Sequence, residues 1–328
     1  MKALRIHVVA PAGPVDEARL EAGLDFLRGR GIEVVEGRSL RGRWGHLAGR
    51  DGERAADLVR ALLDPAADAV WAARGGFGGL RLLSHLDCPE LAGARRRPPL
   101  IGYSDLTSLQ NCLVGRLGWP AWHAPMVATE LGAPLDPCSE ASLDLMLASL
   151  RGQGAAIAAR QAADGAWNLV EEEELADCPA RVVLEAGGVR QVLGLHGTFV
   201  WQAGTAEGPL AGGNLSVLTS LFGGSWEPYL GETCLLLEDH GEYPFRLDRH
   251  LAQLANQGAL RRARALLLGS FIDCAEPDPA KVTFTAEELL RHYAAQVSGP
   301  VLAGLPFGHR APRLSLPMPG RCLVTAVR

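Results

Sequence analysis

No run of eighteen uncharged apolar residues occurs in the chain, which excludes a membrane-spanning helix by sequence and, with it, a membrane partner. Charged residues and Pro11 break up the first apolar stretch, so the uninterrupted core of a secretory signal is missing too. The seven cysteines are odd in number, widely spaced and without a C-x-x-C pair, which excludes a disulfide framework. Reduced thiols and a cytoplasmic location are the expectation. The nine histidines show no H-x-x-x-H or related spacing, so no metal is expected. An excess of positive charge is lacking as well. Against 32 basic residues stand 37 acidic ones, a formal net charge of -5, and this removes the electrostatic footprint of a nucleic-acid partner. Lysine occurs only at Lys2 and Lys281, and no functional class follows from that.

What is present is a long chain, 328 residues and 48% hydrophobic, able to bury a large core and long enough for two domains. Leu4 to Ala10 reads as a buried strand, Val15 to Arg30 as a helix with Leu20, Leu24 and Leu27 on one face, and Ile32 to Glu36 as a returning strand. A helix over Glu53 to Leu63, a strand over Ala69 to Ala73, a strand over Leu100 to Tyr103 and a helix from Asp105 continue the pattern. Residues 1–150 therefore predict a three-layer α/β/α domain with a mainly parallel sheet. Residues 151–188 loosen into Ala-, Gly- and Glu-rich sequence and read as a linker and domain entrance, with Glu171 to Glu174 a solvated face. Residues 189–328 predict a mixed α/β domain that includes a capping box at Thr285-Ala286-Glu287-Glu288.

Three features can carry chemistry. Leu-Ile-Gly-Tyr-Ser-Asp-Leu-Thr, residues 100–107, puts Ser104 on a strand-to-helix turn, beside the positive end of a helix and its unpaired N–H groups. The plain alternative is a helix cap, because Leu106 stands where a G-x-S-x-G elbow has its last glycine. The Arg74 to Gly79 loop follows a strand and lets backbone N–H groups approach an anion. It is equally an ordinary tight connection, and it lacks the Lys-Ser/Thr ending of a P-loop. In the second half, Glu238 and Asp239 close an apolar strand, and Gly308-His309 puts a histidine on a proline-flanked loop. Serine, carboxylate and histidine fill the three roles of a hydrolytic triad.

In these segments the chain resembles the LD-carboxypeptidases, serine peptidases that include muramoyltetrapeptide carboxypeptidases and microcin C self-immunity peptidases. The resemblance rests on Ala10-Pro11, His46-Leu47-Ala48-Gly49, Ala73-Arg74-Gly75-Gly76-Phe77-Gly78, Ile101-Gly102-Tyr103-Ser104-Asp105, Gly212-Gly213-Asn214-Leu215, Leu237-Glu238-Asp239 with Glu242 and Arg249, and Gly308-His309 before Leu316-Pro317. It implies Ser104 as nucleophile, His309 as general base and Glu238 as the orienting carboxylate, with Asp239 and Glu242 as rivals for that last role. It also implies an oxyanion hole from the N–H of Asp105 and one from Gly75 or Gly76, no cofactor, and a homodimer. Phe77 departs from the common tyrosine, and the 151–190 segment is longer than in compact members.

The implied reaction is hydrolysis of the amide between an L-configured centre and a terminal D-residue of a small peptide, typically D-alanine on a murein tetrapeptide. The free carboxylate of such a substrate calls for an arginine, with Arg74, Arg81, Arg249, Arg310 and Arg313 as candidates and Phe77 beside them. An immunity-type peptidase acting on nucleotide conjugates and a non-catalytic phosphate binder using Gly75 to Gly79 are the competing readings.

Overall fold

The computed structural model describes residues 3–327. Five strands, β1 (Arg5–Val9), β2 (Glu33–Glu36), β3 (Ala69–Ala72), β4 (Leu100–Gly102) and β5 (Ala121–His123), pair in parallel in the order β5-β4-β3-β1-β2. β3 is buried along its whole length, as a strand covered on both faces must be. Its alternate side chains feed two cores. Trp71 packs with Ile6, Val8 and Ile101 and with leucines of the helices Glu17–Gly29 and Pro137–Leu150. Val70 and Ala72 pack with Leu100 and with leucines of the helices Asp51–Leu63 and Leu106–Leu117. These are the three expected layers.

Among the described residues the second sheet has ten strands. They are β6 (Ala155–Gln161), β7 (Trp167–Val170), β8 (Ala180–Ala186), β9 (Val189–Leu195), β10 (Val200–Gln202), β11 (Gly204–Asn214), β12 (Cys234–His240), β13 (Ala265–Ile272), β14 (Val301–Leu302) and β16 (Arg321–Ala326). Their order is β10-β14-β13-β12-β11-β16-β8-β9-β6-β7. Parallel pairs (β11/β12, β12/β13) and antiparallel pairs (β11/β16, β8/β9) mix in it, giving the mixed α/β second half. β15 (Leu316–Met318) leaves this half altogether and adds antiparallel to β5, completing a six-stranded first sheet.

Residues 151–188 are not a linker. They supply β6, β7 and β8, and β6 lies parallel to β9 from Ala155↔Val189 to Arg160↔Gly194. Alanine-rich sequence has little strand propensity, and here partners on both sides of β6 override it. The run Glu171 to Glu174 is exposed, and the Thr285 box closes with Glu288 N–H donating to Thr285 Oγ1 at 3.2 Å. One core runs through both halves, since Leu106 and Leu109 cluster with Leu215, Leu235 and Leu237. Among the described residues no helix is long and apolar enough to cross a membrane.

Candidate active site

β4 stops at Gly102 and the helix Leu106–Leu117 starts four residues later, so Tyr103 to Asp105 must turn sharply. Ser104 takes φ +62°, left-handed backbone that costs an L-residue about 1–2 kcal/mol. The turn is pinned from beneath by buried Gln110, whose Nε2 donates to the carbonyls of Gly102 and Trp122, each at 2.8 Å. Gly102 keeps the turn close to its neighbours, since a Cβ there would lie 3.1 Å from Leu106 Cγ and 3.2 Å from Ala72 Cβ and would press on both. The elbow therefore forms although Leu106 replaces its last glycine.

His309 Nε2 lies 3.1 Å from Ser104 Oγ, and His309 Nδ1 lies 2.7 Å from Glu238 Oε2. Gly308, at φ +97°, permits this approach. A Cβ there would come within 2.6 Å of Ser270 Oγ and 2.8 Å of Glu238 Oε2. Glu238 ends the apolar part of β12, is fully buried, and is pushed by burial above the usual carboxylate range. Burial works against a charged His309, but the Glu238 hydrogen bond and charge outweigh it, and the His309 pKa is raised. With the Nδ1 proton donated to Glu238, Nε2 is free to accept from the Ser104 hydroxyl.

Neither rival of Glu238 reaches the imidazole. Asp239 accepts from Asn214 Nδ2 and from the Ser216 N–H, each at 2.9 Å, and neither it nor Glu242 forms a hydrogen bond to His309 among the described residues. Another histidine near this centre, His123, is buried, and burial holds it down to about 3, so it stays neutral.

The glycine loop lies against the serine. A Cβ on Gly75 would meet Ser104 Cβ at 3.0 Å and Asp105 N at 3.4 Å. Gly76 has φ +112°, and the Gly75 carbonyl accepts from Gly13 N–H at 3.1 Å. The buried Asp105 carboxylate ties this loop down by accepting from Gly79 N–H at 2.6 Å. The N–H groups expected to hold an oxyanion thus belong to two loops locked together beside Oγ.

The expected substrate arginines are distributed differently. Arg74 Nη1 donates to the Pro14 carbonyl at 3.0 Å, and Arg81 pairs with Asp51 at 2.7 Å. Arg249 and Arg310 are exposed, and so is Phe77, which packs edge-on to His46. Arg313 is half-buried and turned inward, donating through Nη2 to the His309 carbonyl at 2.7 Å and through Nε to the Gly308 carbonyl at 3.1 Å. Its charge faces Glu130, which accepts from Tyr103 Oη at 2.8 Å, and the Tyr103 ring meets His309 edge-on at 5.0 Å. His240 stacks on the imidazole, also at 5.0 Å. Sequence reasoning has no signal for Glu130 or His240, which lie in no motif. Tyr103 was legible only as the neighbour of Ser104.

A hydroxyl in reach of an imidazole that leans on a buried carboxylate, with backbone donors alongside, is an arrangement for acyl transfer through a serine. Residues 6–124 match the LD-carboxypeptidase N-terminal domain, and residues 207–324 match the LD-carboxypeptidase C-terminal domain. The chain belongs to the LD-carboxypeptidase family. As a serine-type LD-carboxypeptidase it is a hydrolase, with Ser104 in the first matched segment and Glu238 and His309 in the second. A relative named murein tetrapeptide carboxypeptidase, from Pseudomonas aeruginosa, is 35% identical over 320 residues, 95% of this chain and 90% of its own. The crystal structure of muramoyltetrapeptide carboxypeptidase from Oxalobacter formigenes superimposes with a TM-score of 0.71 at 25% identity, covering 98% of both chains. The microcin C7 self immunity protein MccF, in complex with aspartyl sulfamoyl adenosine, shares the fold of this LD-carboxypeptidase. Its TM-score is 0.75 at 19% identity, over 100% of this chain and 97% of that one.

Proposed function

We propose that this enzyme hydrolyses the amide joining an L-configured centre to a terminal D-alanine on murein tetrapeptides. The observation that carries the proposal is the continuous hydrogen-bonded line from Ser104 Oγ through His309 to Glu238, 3.1 and 2.7 Å long.

In this mechanism His309 Nε2 takes the Ser104 proton as Oγ attacks the scissile carbonyl. The resulting oxyanion is held by the N–H of Asp105 and an N–H of Gly75 or Gly76. His309 then gives its proton to the departing amine, and the C–N bond breaks to leave an acyl-enzyme and free D-alanine. Water, deprotonated by the same imidazole, attacks the ester and releases the shortened peptide and Ser104. Glu238 keeps the productive imidazole tautomer and stabilises the imidazolium throughout.

The work belongs in the cytoplasm under this reading, in keeping with seven free cysteines, and the homodimer of the family is carried over with it. Mass spectrometry of products settles the reaction. A tetrapeptide ending in D-alanine should lose that residue while its all-L counterpart stays intact. Cleavage of the all-L peptide, or of an acyl-sulfamoyl nucleoside in preference to either peptide, overturns the proposal.

A further inference from the structure

A cleft of about 690 Å³ lies away from Ser104. It lies between the loop that follows β2 and the exposed side of the helix Asp51–Leu63, and Arg38, Arg43, Arg50, Arg60 and Trp44 line it. Arg60 is paired with Asp57 at 2.8 Å. The guanidiniums of Arg38, Arg43 and Arg50 have no carboxylate partner among the described residues, in a chain where acids outnumber bases. The two acids on the same wall are spent inside it. Glu53 accepts from the Arg50 N–H at 2.8 Å, and Asp57 accepts from the Ser39 N–H at 2.6 Å as well as from Arg60. Three unpaired guanidiniums around one cleft make a place for an anion, because each can present a fork of N–H donors to a carboxylate or phosphate.

The position of the cleft says which anion. Ser104 follows β4 and the cleft follows β2, at the same carboxyl edge of one sheet. The order β4-β3-β1-β2 separates them by three strand spacings, about 14 Å. Exposed rings accompany both ends, Phe77 by the glycine loop and Trp44 in the cleft wall. Phe77, two residues after Gly75, packs on His46 at 5.4 Å, and Trp44 carries the guanidiniums of Arg81 and Arg50 at 5.7 and 5.3 Å. A carboxypeptidase releases a single residue, so whatever reaches 14 Å from the serine belongs to the acyl side of the substrate.

We propose that the cleft of Arg38, Arg43, Arg50 and Trp44 is a distal subsite that takes an anionic group on the acyl side of the substrate. The inference rests on the peptidase reading above and adds a specificity element to it. Three extended residues and a succinyl group, at about 3.4 Å per residue, span the required distance.

The test uses two tetrapeptides ending in D-alanine that differ only in an N-acetyl or N-succinyl group, so that one places a carboxylate over the cleft. In the unaltered enzyme the succinyl peptide should show a KM about tenfold lower than the acetyl peptide, a gap that shrinks as salt is raised. In the double variant Arg38→Ala with Arg43→Ala the ratio of the two KM values should fall towards one. A general disturbance of the fold moves both values and leaves the ratio, so an unchanged ratio, or no preference in the unaltered enzyme, overturns the subsite. Calorimetry on the full chain carrying Ser104→Ala separates this from failure of the peptidase reading. Tighter binding of the succinyl peptide that needs Arg38 and Arg43 supports the subsite even if neither peptide is cleaved, and equal binding of both peptides overturns it.

Discussion

Arg313 holds the backbone of His309, its Nη2 donating to the His309 carbonyl at 2.7 Å while Nε donates to that of Gly308 at 3.1 Å. The same guanidinium faces Glu130, which accepts from Tyr103, the residue beside Ser104. A loop from the second half of the chain is thereby fixed against the serine turn of the first half. Together with the Glu238 bond, that connection holds the imidazole at hydrogen-bond distance from Oγ.

Replacing Arg313 with alanine should lower kcat by about 10²-fold, since a displacement near 1 Å in a reacting group costs that much, with little change in KM. Lysine at this position should restore only part of the loss, because one ammonium cannot span two carbonyls as the fork does. Steady-state kinetics on a D-alanine-releasing peptide checks both. A rise in KM at constant kcat would instead assign Arg313 to substrate binding.

The pH profile follows from the His309–Glu238 pair. Only neutral His309 can accept the serine proton, and its pKa is raised, so kcat/KM should climb with pH through an inflection above the ordinary value of about 6.5. In Glu238→Gln the burial that opposes a charged imidazole is countered only by the more distant charges of Asp239 and Glu130. The inflection should then fall below that of the unaltered enzyme, and turnover should fall by about 10⁴. Stability runs the other way. A raised folded value contributes stability that is fully present below about pH 6.5 and is lost as the pH rises through the folded pKa. Denaturant titrations across that window should show the unaltered chain losing this contribution and Glu238→Gln never having it.

At Ser104, alanine and glycine should both abolish D-alanine release but differ in stability. The position holds φ +62°, so Ser104→Gly escapes a strain that Ser104→Ala keeps, and the glycine variant should be more stable by about 1 kcal/mol. Urea midpoints of the two variants measure the difference. Equal midpoints would mean that the turn relaxes once the hydroxyl is gone.

Local pattern made the first half legible. Buried apolar runs alternate with leucine-faced helices between Leu4 and Leu117, and a parallel sheet under two helical layers is the solution such a pattern allows. Residues 155–186 were opaque for the opposite reason. Ala155–Gln161 carries almost no strand propensity and becomes β6 because β9 and β7 flank it. The candidate arginines show the same division. Their number and loop positions were readable, whereas Arg81 spending itself on Asp51 and Arg313 facing Glu130 depend on partners far away in the chain.

By itself, then, the order of residues determined which side chains are candidates for the chemistry and which elements present them. A serine after Gly-Tyr at a strand end, a carboxylate closing an apolar strand and a histidine after glycine are local facts of composition and turn geometry. Tertiary structure alone decided that Glu238 and not Asp239 supports the imidazole, that β15 completes the first sheet, and that three unpaired arginines share one cleft. Hydrogen bonds and charge pairing act over a few ångströms in space, and His309 follows Ser104 by 205 positions along the chain.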